Sequence, residues 1–118
     1  MSELAYKLVD RSEWEAALAC GTYAGSAVDL ADGYIHMSMA AQLAETARRH
    51  YAGRDDLVLL AVDLRALGDA LRWEASRGGD LFPHLYAPLP TACTSDARRL
   101  SVDAKGVMRF EDGAVGWP

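Results

Sequence analysis

Three observations in the sequence predict a single-domain α+β fold. Candidate strands outnumber candidate helices, and the two main candidate helices both lie in the first half of the chain, which favours separate helical and strand regions over an alternating arrangement. Residues 57–62 form an almost continuous apolar run between turn signals, which predicts a central strand buried on both faces. The 118 residues are enough for one core, so we expect a single domain, 1–118, with its core at about 4–110.

The first predicted elements are a strand and a short helix. Alternation of residue types over residues 4–9 indicates the strand. Ser12 and Glu15 then form a capping-box pattern, in which the serine hydroxyl accepts from the backbone N–H of the glutamate. The pattern predicts a helix that has Ser12 as its N-cap and ends at Gly21, a residue that tolerates the left-handed conformation.

The next segment contains a connector, a strand and the clearest helix. Residues 22–31 are predicted to be a connector, and the turn signal of Asp32 and Gly33 precedes a strand at 34–38. Apolar residues then recur at helical spacing over 39–51. The helix should therefore bury one face and expose the other.

The second half of the chain is predicted to consist of strands and loops. We expect strands at 71–74 and 92–102 and a short strand at 107–110. Residues 81–90 contain three prolines, which lack a backbone donor, so this stretch is predicted to be irregular and rigid. The last eight residues, 111–118, are predicted to fray.

Composition and charge exclude several classes of protein. The net charge of −5 argues against sequence-independent binding of nucleic acid, which requires Lys and Arg to neutralise phosphates. No apolar run approaches the roughly 20 residues that a membrane helix needs, and the amino terminus does not resemble a signal peptide. We expect a monomeric, cytoplasmic protein without membrane attachment.

Two of the three histidines lie in short aromatic and apolar strings. On the predicted strand at 34–38, His36 shares one face with Tyr34 and Ser38, as in the wall of a polar cleft. Imidazole can serve as base, acid, ligand or orienting donor near neutral pH. The alternative is that His36 is buried and satisfied by a backbone carbonyl, while Ser38 caps the following helix.

His84 lies between Pro83 and Tyr86 in the proline-rich stretch. Pro83 restricts the backbone, so His84 is held in position for recognition or catalysis, unless it simply occupies the tip of a loop. Glu74 is a candidate general base, a carboxylate that orients a histidine, or an ion-pair partner of a nearby arginine. His36, His84 and Glu74 lack metal-ligand spacing, and we predict no metal site.

The chain resembles a family of small bacterial proteins known as domain of unknown function 952. The resemblance runs from about Ala5 to Arg99 and is most specific in the two histidine strings. The matching segments are Tyr6-Lys7, the stretch 14–17, the string 32–38, Trp73-Glu74 and the string 82–86.

This resemblance implies a fold of the ADP-ribosyltransferase-like superfamily, with two small, mostly antiparallel sheets around a cleft that binds NAD in active members. It also implies a site position for Lys7, where many members of the family have a histidine. A first-strand histidine commonly orients the NAD ribose in active members, so NAD is a possible cofactor and Lys7 is a departure from that pattern.

The leading hypothesis is a cleft that binds a small anionic or nucleotide-like ligand. The candidate ligand-binding residues are Lys7, Tyr34, His36, Ser38, His84 and Tyr86. If the protein is an enzyme, the catalytic candidates are His36, His84 and Glu74. The alternatives are an NAD-dependent ADP-ribosyl- or phosphotransferase-like enzyme and a non-catalytic sensor or interaction module.

Overall fold

A computed structural model describes residues 3–117 of the chain, apart from the side chain of residue 77. Its helices are α1 (Arg11–Cys20), α2 (Ala27–Asp32) and α3 (Ala40–His50). Its strands are β1 (Leu4–Asp10), β2 (Thr22–Tyr23), β3 (Ile35–His36), β4 (Leu57–Asp63), β5 (Leu71–Ala75), β6 (Leu81–Leu85), β7 (Leu89–Pro90), β8 (Thr94–Val102) and β9 (Met108–Phe110). Short 3-10 turns lie at 64–66, 68–70, 77–79 and 91–93.

The strands form a four-stranded sheet in the order β1-β4-β8-β9, a three-stranded sheet in the order β3-β6-β5, and the small pair β2-β7. All of these pairings are antiparallel, and the three α-helices precede β4. The predicted α+β class with two small antiparallel sheets is therefore confirmed.

Strand β4 is the central element, as the apolar run predicted. It lies between β1 and β8, and residues 57–62 are all buried. Val58, Leu60 and Val62 face a core shared with α1 and the three-stranded sheet, whereas Leu57 and Leu59 face a second core under α3. Two cores on opposite faces of one strand explain why it has no polar side.

The segment after β3 connects the two larger sheets. Ile35 and His36 pair with Leu85 and His84 of β6. Two residues later, the backbone of Ser38 exchanges hydrogen bonds of 2.7 and 2.9 Å with Tyr6 on the free edge of β1. One short stretch of chain thus joins the three-stranded sheet to the four-stranded sheet.

The prediction that residues 81–90 are irregular is wrong, because β6 is the middle strand of its sheet despite containing Pro83. The Pro83 carbonyl accepts a 3.1 Å hydrogen bond from the Met37 N–H. In an antiparallel ladder the nitrogen of a residue points to the same side as its carbonyl. The missing donor of Pro83 therefore faces the place where β3 has ended, and the ladder to β5 loses no hydrogen bond.

The predicted N-cap at Ser12 is also wrong. Helix α1 begins at Arg11 directly after β1, and Asp10 is its N-cap residue. The Arg11 N–H donates a hydrogen bond to the backbone carbonyl of Asp56. The predicted end at Gly21 is confirmed by a left-handed φ of 91°. The observed capping box lies in the predicted connector, where the Ser26 hydroxyl accepts from the Asp29 N–H at the start of α2.

The carboxy-terminal segment 111–117 is ordered against the domain, contrary to the prediction that it frays. The Gly116 N–H donates to Met108, the Trp117 indole N–H donates to Ala40 at 2.9 Å, and the indole ring packs against Tyr6. Tryptophan supplies both apolar area and a donor, which explains how a short tail is held in place. Pro118 lies outside the described residues.

None of the helices within residues 3–117 has the length and apolar character needed to cross a bilayer.

The two serines provide a matched test of the capping assignment. We expect Ser26→Ala to lower the free energy of unfolding by about 1 kcal/mol because it removes an N-cap acceptor. Ser12→Ala should change it by less than about 0.5 kcal/mol, since exposed positions without such a role tolerate substitution. Urea denaturation of the two variants gives both values, and a larger loss for Ser12→Ala would contradict the assignment.

Candidate functional site

A cleft of about 620 Å³ lies between α2, α3 and the β1 edge, next to the point where the two sheets are joined. Its polar lining includes Lys7, Asp29, Asp32, His36, Ser38 and His84. The volume falls within the range of roughly 300–1,000 Å³ that is typical of small-molecule sites.

Four of the predicted site residues form a cluster of rings. The β3–β6 register places His36 directly opposite His84, with ring centroids 5.5 Å apart. The Tyr34 ring lies 4.5 Å from His36, 4.2 Å from His84 and 5.1 Å from Tyr86. The structure therefore brings together both histidine strings that the sequence singled out.

Glu74 completes this cluster from β5. Its Oε1 atom lies 2.8 Å from His84 Nδ1 and accepts a 2.7 Å hydrogen bond from the Tyr86 hydroxyl. The hydrogen bond from Tyr86, followed by that from His84, holds the pKa of Glu74 below its usual value. Of the roles considered for Glu74, the geometry fits a carboxylate that orients a histidine.

Sequence reasoning missed Asp29, the buried carboxylate that contacts both Lys7 and His36. Its side chain is 2% exposed and accepts hydrogen bonds from the Ser26 N–H at 2.9 Å and the His36 N–H at 3.1 Å. It also lies 3.1 Å from the Lys7 ammonium and 2.6 Å from His36 Nδ1. The Ser-x-x-Asp pattern at Ser26 was the available signal, because an acidic residue three positions after a capping serine completes a capping box.

The surroundings of Asp29 determine its charge. Burial by itself would raise the pKa of Asp29, but the hydrogen bond with the His36 ring, the Lys7 charge and two backbone N–H groups outweigh it and hold the pKa well below its ordinary value. Burial lowers the pKa of Lys7, and the charge and hydrogen bond of Asp29 oppose that effect. We conclude that Asp29 is a buried carboxylate with a full set of donors.

Lys7 does not extend to solvent. The side chain is 5% exposed, and besides Asp29 its ammonium donates a 2.8 Å hydrogen bond to the His36 carbonyl. Lys7 therefore supports the backbone of β3 from β1. Both of its observed partners are protein groups.

His36 lies between two carboxylates of α2. Nδ1 is 2.6 Å from Asp29 and Nε2 is 2.9 Å from Asp32, whose side chain is 47% exposed. The Nδ1 contact is a hydrogen bond, and the Nε2 contact is an ion pair when the imidazole carries both protons. His36 therefore ties the end of α2 to β3.

Ser38 lines the cleft but does not cap α3. Its buried hydroxyl lies 2.9 Å from the Thr46 hydroxyl, while Met39 is the residue at the N-cap position and its N–H donates to the Gln42 side chain. For metals, no group of three or more His, Cys, Asp or Glu side chains within residues 3–117 is arranged to hold an ion.

The fold and the site define a small α+β protein with a histidine-lined cleft next to the junction of its two larger antiparallel sheets. The chain belongs to the family described as protein of unknown function (DUF952), whose sequence profile matches residues 8–96. None of the curated proteins compared with the chain matches it. The relation to the ADP-ribosyltransferase-like superfamily stays a prediction.

Solved structures of one bacterial relative are similar over most of the chain. The crystal structure of protein CC0527 from Caulobacter crescentus is 52% identical, with a TM-score of 0.85 over 90% of this chain and 93% of that one. The solution NMR structure of CC0527 matches with a TM-score of 0.77 at 52% identity, over 87% of this chain and 89% of that one.

The central role of Asp29 can be tested through stability. We expect Asp29→Asn to lower the free energy of unfolding by about 3 kcal/mol at neutral pH, because Lys7 would remain buried without its counter-charge. The pKa of Asp29 is lower in the folded state than its ordinary 3.8, so its contribution is fully present above about pH 4 and declines as the pH falls towards the folded-state value. The difference in free energy of unfolding between the wild type and Asp29→Asn should therefore become smaller as the pH is lowered.

The control is Asp32→Asn, which alters the exposed partner of the same histidine. We expect it to cost less than about 1 kcal/mol, as exposed ion pairs do. Guanidinium denaturation from pH 7 down to pH 3 would measure both variants. The central role of Asp29 would be contradicted if both variants lost the same free energy of unfolding. It would also be contradicted if the loss in Asp29→Asn did not change with pH.

Proposed function

We propose that the cleft binds the nucleoside portion of a small nucleotide-like molecule. The observation that carries this proposal is the ring cluster, of which His36 and His84 line the cleft. Tyr34 is outside that lining and lies within 4.2–5.1 Å of the two histidines and Tyr86. Tyr86 is 40% exposed and Tyr34 is partly exposed, so ring surface is available next to the cleft. Aromatic faces are the common means by which proteins hold nucleobases.

The charges support a hydroxyl- or amine-bearing ligand over a bare anion. Lys7 and Arg54, two cations of the cleft lining, contact the carboxylates of Asp29 and Asp10. Asp32 and Glu74 remain partly exposed near the rings. Carboxylates accept hydrogen bonds from hydroxyl and amino groups and repel phosphate. These contacts favour the nucleotide-like part of the sequence hypothesis over the anionic part.

The same charges argue against NAD as the resident cofactor. Its pyrophosphate needs donors or cations, whereas the contacts of Lys7 and Arg54 are with carboxylates of the protein. We therefore favour binding of a nucleoside portion over NAD-dependent transfer, and we propose no step through NAD.

A binding screen tests the proposal. Thermal shift and calorimetry would compare nucleosides, nucleoside monophosphates, NAD and ribose 5-phosphate on the full chain. We expect a nucleoside to stabilise the wild type and Tyr34→Leu to weaken it about tenfold, because stacking on one aromatic ring is worth roughly 1–3 kcal/mol per base. Radiolabelled NAD would be included to detect release of nicotinamide.

Arg49→Ala is the control, since it changes an exposed α3 side chain that lies outside both the ring cluster and the cleft lining. Its affinity for the nucleoside should equal that of the wild type. The proposal fails if none of the nucleosides binds the wild type, or if Tyr34→Leu binds as tightly as the wild type. Release of nicotinamide would instead favour the transferase alternative.

A further inference from the structure

We infer that His84 is the specificity-determining residue of the cleft and that Glu74 is its positioning residue. Glu74 holds the proton of His84 on Nδ1, so that Nε2 accepts a hydrogen bond from a hydroxyl or amino group of the ligand. The inference rests on the proposed function, because it assigns the chemistry by which the same cleft selects its ligand.

The first step concerns which nitrogen of His84 carries the proton. Glu74 Oε1 lies 2.8 Å from Nδ1 and also accepts from the Tyr86 hydroxyl at 2.7 Å. An ionised carboxylate has no proton to give, so the hydrogen between Glu74 and His84 belongs to Nδ1. A neutral imidazole then has its lone pair on Nε2.

The second step concerns the availability of Nε2. His84 is 3% exposed and lines the cleft, yet no residue in the described part of the chain hydrogen-bonds to its Nε2. Among the described residues, the fully buried side-chain polar atoms without a partner are the hydroxyl oxygens of Tyr23 and Thr94, so the unpaired Nε2 keeps contact with the cleft. Nε2 is thus an atom through which this wall of the cleft can accept a ligand group.

The third step distinguishes His84 from the other predicted ligand contacts. Both ring nitrogens of His36 are held by carboxylates, at 2.6 and 2.9 Å. The Lys7 ammonium is bound to Asp29 and to the His36 carbonyl. Of these three side chains, His84 alone has a ring or ammonium nitrogen without an observed protein partner within residues 3–117.

The fourth step defines the ligand chemistry. Nε2 of a neutral His84 accepts, and so do the neighbouring carboxylates of Glu74 and Asp32. The one nearby cation among the described contacts of the rings, Arg72, lies 5.2 Å over the Tyr86 ring and interacts with Glu74, so the groups beside His84 are acceptors. A group that only accepts, such as a phosphate, would meet lone pairs and negative charge. A site built to pair a ligand donor rejects the analogue that lacks it, because its own polar group is then left unpaired. The ligand is therefore selected for a hydroxyl or amino donor at His84.

The tautomer can be measured directly, without a ligand. The experiment is two-dimensional NMR on the full chain labelled with ¹⁵N-histidine, at a pH where His84 is neutral. We expect the Nδ1–H form for His84 in the wild type and a shift to the Nε2–H form in Glu74→Leu, which removes the acceptor. Asp32→Asn is the control and should leave the His84 pattern unchanged. An Nε2–H form in the wild type, or no change in Glu74→Leu, would overturn the inference.

The ligand arm uses matched pairs of nucleosides. Adenosine would be compared with 2′,3′-dideoxyadenosine, which lacks the 2′- and 3′-hydroxyls, and with purine riboside, which lacks the amino group. We expect at least one omission to weaken binding about tenfold in the wild type, and that difference to fall below threefold in His84→Leu. Equal affinities for all three compounds, or a difference retained in His84→Leu, would overturn the inference while leaving nucleoside binding intact. Absence of binding by any nucleoside would overturn the proposed function, and the tautomer measurement would still test the role of Glu74.

Discussion

The carboxylate of Asp29 is the interaction on which the rest of the site depends. It lies where α2, β1 and β3 meet, and its donors come from all three elements: Ser26, Lys7 and His36. A charge removed from water is tolerated only if it is paired and hydrogen-bonded. The three elements are therefore fixed relative to one another by the need to satisfy a single buried group.

This constraint determines the form of the cleft. The two apolar cores lie on opposite faces of β4, and the first contains Ile35 of β3 together with Ala5 and Val9 of β1. The junction also has polar contacts, namely the Tyr6–Ser38 backbone pair and the hydrogen bond from the Lys7 ammonium to the His36 carbonyl. Polar contacts are directional, so they orient His36 towards its opposite residue on β6. The ring cluster then follows from strand register.

Strong local patterns made much of the fold predictable. The apolar run of β4 and the helical spacing of α3 indicate their structures because each element buries a regular set of side chains. Helix α2 was missed because Val28 and Leu30 are exposed, so it has no apolar face to detect, and Asp29 is its buried residue. The strand at Pro83 and the docked tail at Trp117 depend on neighbours distant in sequence, which no local pattern contains.

The sequence singled out the two histidine strings that the structure brings together, but it did not reveal Asp29 or the separate roles of the histidines. His36 and His84 occur in similar strings, and strand periodicity places each beside tyrosine. Their chemistry differs because of partners on other elements: two carboxylates hold both nitrogens of His36, whereas Glu74 holds one nitrogen of His84. The function of an imidazole follows from which of its nitrogens the fold leaves open. Here that distinction separates a side chain that holds the cleft together from one that can meet a ligand.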